Sequence, residues 1–317
     1  MIILQVNWVT INIFSYKINL GVIFMSLNQL DGHTILIGLM AYPIRHSMSP
    51  TMHNHAFEKL GLNYAYLAFE ITNDGLEGAV NAIRTLDMRG SNISMPNKQK
   101  IIPLLDKLDP ATEMIGAVNT VVNDNGVLTG YTTDGIGMIK SLDDEGIDIR
   151  GKKMTMAGAG GAGTAIAIQC ALDGVKEISL FNRDDEFFAQ AKRNVDLINE
   201  KTDCKATLHK LEDQDDFKAE IDSAFIYCDA TSVGMNPLEG QTLVSDPSWF
   251  RKDLVVFDTV YAPRTPKWME VAEEAGVEHV FNGLGMMLEQ GAAAFKLWTG
   301  KEMPVEYIRN ILFNEDK

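Results

Sequence analysis

Residues 156–164 read Met-Ala-Gly-Ala-Gly-Gly-Ala-Gly-Thr, with glycines at 158, 160 and 163. No other stretch of the chain restricts its fold as strongly. Gly158 permits a tight turn, Gly160 lets a backbone come close to a bulky anion, and Gly163 lets a new helix lie near the strand before it. Lys153-Met-Thr-Met-Ala157 reads as a short apolar strand, 164–172 as a helix, and Glu177-Ile-Ser-Leu-Phe181 as a second strand. The spacing predicts a βαβ unit that binds a dinucleotide, with the pyrophosphate at the free N–H groups and positive dipole end of the helix.

That second strand ends at Asn182-Arg183-Asp184-Asp185, where such a unit places the residue that reads the adenosine ribose. A carboxylate there accepts from the ribose hydroxyls and repels a 2′-phosphate, so Asp184 and Asp185 favour NAD. Arg183 pulls the other way, because a guanidinium can pair with a 2′-phosphate. The expectation is NAD preferred with NADP also admitted. Solvated turn charges are the plain alternative for either aspartate.

A chain of 317 residues suggests two domains. Its net charge of −15 argues against nucleic acid or an anionic membrane as partner, so an anionic substrate must meet a local cluster of donors. Cys170, Cys204 and Cys228 lack metal-ligand spacing, which points to no metal and, with an odd count, to a reducing cytoplasm. Residues 1–24 are apolar and β-branched, yet fit neither a signal peptide nor a membrane span. Met25 is therefore expected to be the natural start, and 1–25 an extension outside the core.

The class expected is α/β. Strands are read at 34–40, 64–69 and 90–94, and helices at 49–60 and 74–87, the latter with Ile83 and Leu86 turned inward. Beyond the glycines come a helix at 187–199, strands at 224–228 and 254–257, and helices at 283–298 and 305–313. Two domains follow: a substrate-binding one over 26–130 completed by 286–317, and a Rossmann-type NAD(P)-binding one over 131–285.

Three segments could carry chemistry. Ser47 and Ser49 stand at a helix entry, where they either cap the helix or grip a small carboxylate. Lys98 lies on a loop just after a strand. Asp134 lies in a Gly-rich loop. Taken singly, a solvated lysine and an Asx turn are the default readings. Beside a hydride-accepting cofactor, a lysine and an aspartate between two domains could share the proton of an alcohol being oxidised.

Several segments together resemble the shikimate dehydrogenases, more specifically the quinate/shikimate dehydrogenase branch. They are Ser47-x-Ser-Pro-x-x-His-Asn54, Gly90-x-Asn-Ile-Ser-x-Pro-Asn-Lys98, Ile115-Gly-Ala-Val-Asn-Thr120, Thr133-Asp-Gly135, the glycine turn, Thr231-Ser-Val-Gly-Met235, Asp258-Thr-Val-Tyr-x-Pro263 and Gly283-x-Gly-Met-Met-Leu-x-Gln290 through Gly300. The resemblance implies Lys98 and Asp134 as the catalytic pair. Ser47 and Ser49 would hold the carboxylate, and Ser94, Asn119 and Gln290 would hold the ring hydroxyls or carboxylate, with Tyr66 nearby. It places the pyrophosphate at Gly158, Ala159, Gly160, Gly161, Ala162 and Gly163, the adenosine at Asn182, Arg183, Asp184 and Asp185, and the nicotinamide path along Ser232, Thr259, Val260, Tyr261, Ala262 and Gly283.

The implied activity is reversible NAD(P)-dependent oxidation of shikimate to 3-dehydroshikimate, with quinate as a second substrate and a homodimer as one possible assembly. Departures from the family pattern include Ser94 for threonine, Thr132 for asparagine, and Asp229 for the asparagine common before Ala-Thr-Ser. The alternative is a sensor of the same fold that binds shikimate or quinate without turnover; it would be expected to have lost the catalytic pair, and this chain has not.

Overall fold

The computed structural model describes residues 30–313 and, upstream, a short pairing of Asn12–Ile13 with Tyr16–Lys17. The expectation about residues 1–25 otherwise lies outside the described residues.

Two six-stranded sheets follow one another along the chain. The first begins with β1 (Ile35–Ala41), α1 (Ser49–Leu60), β2 (Tyr64–Glu70), α2 (Leu76–Thr85) and β3 (Gly90–Ile93). It is completed by β4 (Lys107–Leu108), α3 (Pro110–Ile115), β5 (Thr120–Asp124) and β6 (Val127–Tyr131). The sheet order is β2-β1-β3-β5-β6-β4, parallel at β2-β1-β3 and antiparallel at β3-β5-β6. In α2, Leu76, Val80 and Ile83 fall at helical spacing and are buried. Leu86 corrects the reading: the helix stops at Thr85, Asp87 takes a positive φ of 49°, and Leu86 is 63% exposed.

The second sheet carries α4 (Asp134–Asp144), β7 (Lys153–Ala157), α5 (Gly161–Leu172), β8 (Glu177–Asn182), α6 (Phe188–Lys201), β9 (Lys205–Lys210), α7 (Gln214–Ser223), β10 (Ile226–Asp229), β11 (Val255–Asp258), α8 (Lys267–Ala275) and β12 (His279–Phe281). All its strands are parallel, in the order β9-β8-β7-β10-β11-β12. That is the 3-2-1-4-5-6 order of a doubly wound dinucleotide-binding sheet, and its strand order reverses between β7 and β10. Helices cover both faces, so β7 from Met154 to Ala157 and all of β10 are buried on successive residues rather than on alternate ones.

Two last helices, α9 (Gly283–Thr299) and α10 (Val305–Phe313), return to the first sheet. Leu288, Ala294, Phe295, Trp298 and Ile308 pack with Ile37, Phe57 and Tyr66 in one core, and Trp298 Nε1 donates to the Val121 carbonyl at 2.9 Å. Glycines let α4 wedge between its neighbours: a Cβ on Gly135 would sit 2.6 Å from the Ala165 carbonyl of α5, and one on Gly137 2.6 Å from the Gln290 nitrogen of α9. The first turn of α4 is thereby fixed against both sheets.

Candidate active site

Asp134 is the first residue of α4 rather than part of a loop, which corrects the sequence reading. The glycines that suggested a loop are the ones that let the helix pack closely. Its carboxylate sits at a helix N-terminus, where the dipole favours negative charge. Lys98 stands on the loop after β3, its Nζ 2.6 Å from Asp134 Oδ2. Asn119 Nδ2 donates to Asp134 Oδ1 at 2.8 Å and to Thr133 Oγ1 at 2.9 Å, while Asn119 Oδ1 accepts from the Thr133 N–H. Lys98, Asn119 and Asp134 thus form one connected group, each fixed by a different element.

The group opens into a cavity of about 780 Å³ between the two sheets. Ser47, Ser49, Ser94, Lys98, Asn119, Asp134 and Gln290 line it from one side, and Ala162, Thr259, Val260, Tyr261, Ala262 and Gly283 from the other. Neither serine caps α1: its N-cap is Met48, with no side-chain bond. Ser47 Oγ instead accepts from the Ser49 N–H at 3.2 Å, which leaves its own O–H to donate. Gln290 Nε2 donates to the Met287 carbonyl at 2.9 Å.

Tyr66 does not line the cavity. It is fully buried behind it and donates to Asn92 Oδ1 at 2.7 Å; Asn92 in turn donates to the Asn119 carbonyl and Thr120 Oγ1. Asn92 does line the cavity, though sequence reasoning gave it no role; its signal was its place inside the Gly90–Lys98 segment. Met286, Met287 and Met235 were missed in the same way. His53 and Asn54 act from below. Asn54 exchanges two hydrogen bonds with the Tyr66 backbone, and the His53 ring stacks on Tyr66 at 4.4 Å.

On the nucleotide side, Gly158 has φ +94°, and a Cβ there would lie 2.9 Å from the Ala230 carbonyl. A Cβ on Gly163 would lie 2.1 Å from the Gly158 carbonyl, so no larger residue fits between β7 and α5. Gly160 and Gly161 are exposed with open space where a Cβ would stand, and α5 begins with no side-chain cap and no acid in its first turn. An uncapped, acid-free helix start suits a pyrophosphate. Ala159 lies inside this turn, its N–H already bonded to Asn182 Oδ1 at 3.0 Å. Asn182 is therefore a buried brace of the turn, while Arg183, Asp184 and Asp185 are exposed at the end of β8.

Asp184 pairs with Lys210 of β9 at 2.7 Å, and its N–H donates to Glu212; Asp185 Oδ1 accepts from the Phe187 N–H at the entry to α6. Lys210 is a second cation at this end that the sequence did not single out. Ser232 is exposed and does not line the cavity; Met235 of the same loop does. Among the described residues no group of three or more His, Cys, Asp or Glu could hold a metal, and no helix is long and apolar enough to cross a membrane.

Known proteins are similar to this chain in sequence and in fold. The model of the shikimate dehydrogenase substrate binding domain matches residues 39–121, and that of the shikimate 5'-dehydrogenase C-terminal domain matches 283–313. Shikimate dehydrogenase (NADP(+)) of Streptococcus uberis is 57% identical over 289 residues, covering 90% of this chain and 98% of that one. A crystal structure of shikimate 5-dehydrogenase from Listeria monocytogenes in complex with shikimate and NAD superimposes with a TM-score of 0.88 at 57% identity, covering 90% of this chain and 98% of that chain. Quinate dehydrogenase from Corynebacterium glutamicum in complex with NAD gives 0.77 at 28% identity, covering 87% and 98%. Sequence kinship over nine-tenths of its length and a common two-sheet architecture establish that the chain belongs to the shikimate dehydrogenase family.

Proposed function

We propose that this chain reversibly oxidises the ring hydroxyl of shikimate to 3-dehydroshikimate with NAD(P), and takes quinate as a second substrate. The observation that carries this reading is the Lys98–Asp134 pair at 2.6 Å, facing a cavity that has serine hydroxyls at one end and the glycine turn beside the other. The substrate half is residues 26–130 with 286–317, and the cofactor half 131–285.

The substrate carboxylate is held by the Ser47 and Ser49 hydroxyls, and the ring hydroxyls by Ser94, Asn119 and Gln290. The hydroxyl proton passes to Lys98, directly or through Asp134; Lys98 accepts it as the neutral amine and is left as the ammonium paired with Asp134, while Asn119 fixes the second carboxylate oxygen. Such a relay contributes ~10²–10⁴-fold to turnover. The bound dinucleotide supplies the hydride acceptor. Its pyrophosphate is held at residues 158–163, and Thr259, Val260, Tyr261, Ala262 and Gly283 bound the reacting face. The intact pair favours turnover over a sensor that only binds.

NAD is preferred and NADP accepted. At the adenosine end, Asp184, Asp185 and Glu212 stand against Arg183 and Lys210, an excess of one negative charge. That excess disfavours a 2′-phosphate, whereas the two cations keep it admissible. The test is steady-state kinetics of the purified protein with shikimate and quinate, each with NAD and NADP. The expected order is a higher kcat/KM for NAD with either substrate; a preference for NADP overturns the cofactor assignment, and no turnover with any pair overturns the enzymatic one.

A further inference from the structure

Beneath the loops that close the cofactor side of the cavity lie two buried acids for which the reaction has no direct use. Asp229 ends β10 and Asp258 ends β11, directly opposite one another in parallel register, so their side chains leave the same face of the sheet side by side. They are 5% and 1% exposed.

Each carboxyl holds one loop. Asp229 Oδ1 accepts from the N–H and hydroxyl of Thr231 at 2.9 and 2.7 Å, and Oδ2 from the Tyr227 hydroxyl at 3.3 Å. Asp258 Oδ1 accepts from the Val260 N–H at 2.6 Å, while its Oδ2 is buried with no hydrogen-bond partner. The first loop carries Met235 and the second Thr259, Val260, Tyr261 and Ala262, all at the cavity wall.

Among the described residues no cation offsets the two acids. The titratable group on their own face is Tyr227 of β10; Cys228 leaves the opposite face, with Cys170 of α5 behind it. Burial pushes all three above their ordinary ranges, so they stay neutral. Two buried carboxylates side by side without a counter-ion cannot both ionise. The unpartnered Asp258 Oδ2 has room in its hydrogen bonding for the one proton this requires.

We infer that Asp229 and Asp258 are positioning residues that carry one proton between them, and that this proton holds the 231–235 and 259–262 loops in the spacing that takes the nicotinamide end of the cofactor. The inference rests on the dinucleotide reading above. Burial first, and then the neighbouring Asp229, push Asp258 up to about 9. The pair therefore loses its proton only in alkaline solution, when like charges press the two loops apart.

The test compares wild type with Asp229→Asn and Asp258→Asn. In either variant a neutral amide stands in place of one carboxyl, so that the two positions can no longer both become negative. Infrared titration of wild type should lose a protonated-carboxyl C=O band near pH 9, and Asp258→Asn should lack that step. The Kd for NAD, read by protein fluorescence, should weaken about tenfold in wild type between pH 8 and pH 10, the factor for loss of one proton with a midpoint near 9. In the variants it should change less than twofold, with shikimate binding at pH 7 reporting that they are folded.

Absence of the band in wild type, or the same alkaline weakening in all three proteins, overturns the inference. A band with no NAD or NADP binding at any pH overturns the positioning role by overturning the cofactor reading, and the two failures are thus distinguishable. Should one variant fail to bind shikimate, the other carries the comparison; should both fail, the infrared titration of wild type decides.

Discussion

Lys98 and His53 lie at opposite extremes of what a single residue contributes here. Lys98 is held only by the charge and geometry of Asp134, so its removal should leave the fold intact and act on chemistry. Lys98→Ala is expected to lower kcat by ~10²–10⁴-fold while the shikimate Kd, by calorimetry, stays within a few-fold; unchanged turnover would remove the lysine from the proton relay. His53 is enclosed by Tyr66, Phe295 and Trp298 with neither ring nitrogen bonded. Burial lowers its pKa to about 3, so the folded state keeps it neutral. Between pH 6.5 and 3 the unfolded chain takes up a proton that the folded one refuses, and stability falls as pH drops. From this group alone the loss by pH 5 is about 2 kcal/mol. Urea midpoints at pH 7 and pH 5 should differ more in wild type than in His53→Leu, and equal differences would show that the ring meets water.

At the scale of elements, α4 and α9 decide where the site stands. A methyl at Gly137 meets backbone of α9, where nothing yields cheaply, and overpacking of this kind costs about 1–3 kcal/mol. The gain in helix propensity from Gly to Ala, about 1 kcal/mol, offsets only part of it. Gly137→Ala is thus expected to lower the melting temperature and, by displacing Gln290, to raise the shikimate KM several-fold. An unchanged KM would mean that α9 moves without carrying Gln290 along. Those same glycines explain where sequence reading stopped. A glycine that serves a turn and one that serves a helix contact look alike in one dimension, so Thr132-Thr-Asp-Gly135 read as a loop. Gly158 to Gly163 was legible because its spacing has one physical use between a strand and a helix. β9, with lysine at both ends and a polar Thr207 and His209 between, lacks the apolar signal of its neighbours and was not read. Helix α1 and strand β7, whose turns and apolar runs coincide, were read to the residue. The paired acids at 229 and 258 lie 29 positions apart, and only the register of the sheet brings them together.

For the whole molecule, charge and chain path matter more than any contact. The net charge of −15 opposes the approach of an anionic substrate, whereas at the cavity wall the charge of Lys98 is already met by Asp134. At low salt the screening length of ~30 Å lets the overall field act, and at 0.15 M it shrinks to ~8 Å. The kcat/KM for shikimate should therefore rise a few-fold from 0.01 to 0.15 M ionic strength; a fall would mean that the local cations govern entry. The path of the chain matters during synthesis. Phe295, Trp298 and Ile308 fill the core of the sheet that the chain lays down first, while the second sheet draws its strands from residues 153–281. As the polypeptide leaves the ribosome, the later-made sheet can close before the earlier one, whose apolar face must wait, open to chaperones, until α9 and α10 have been made.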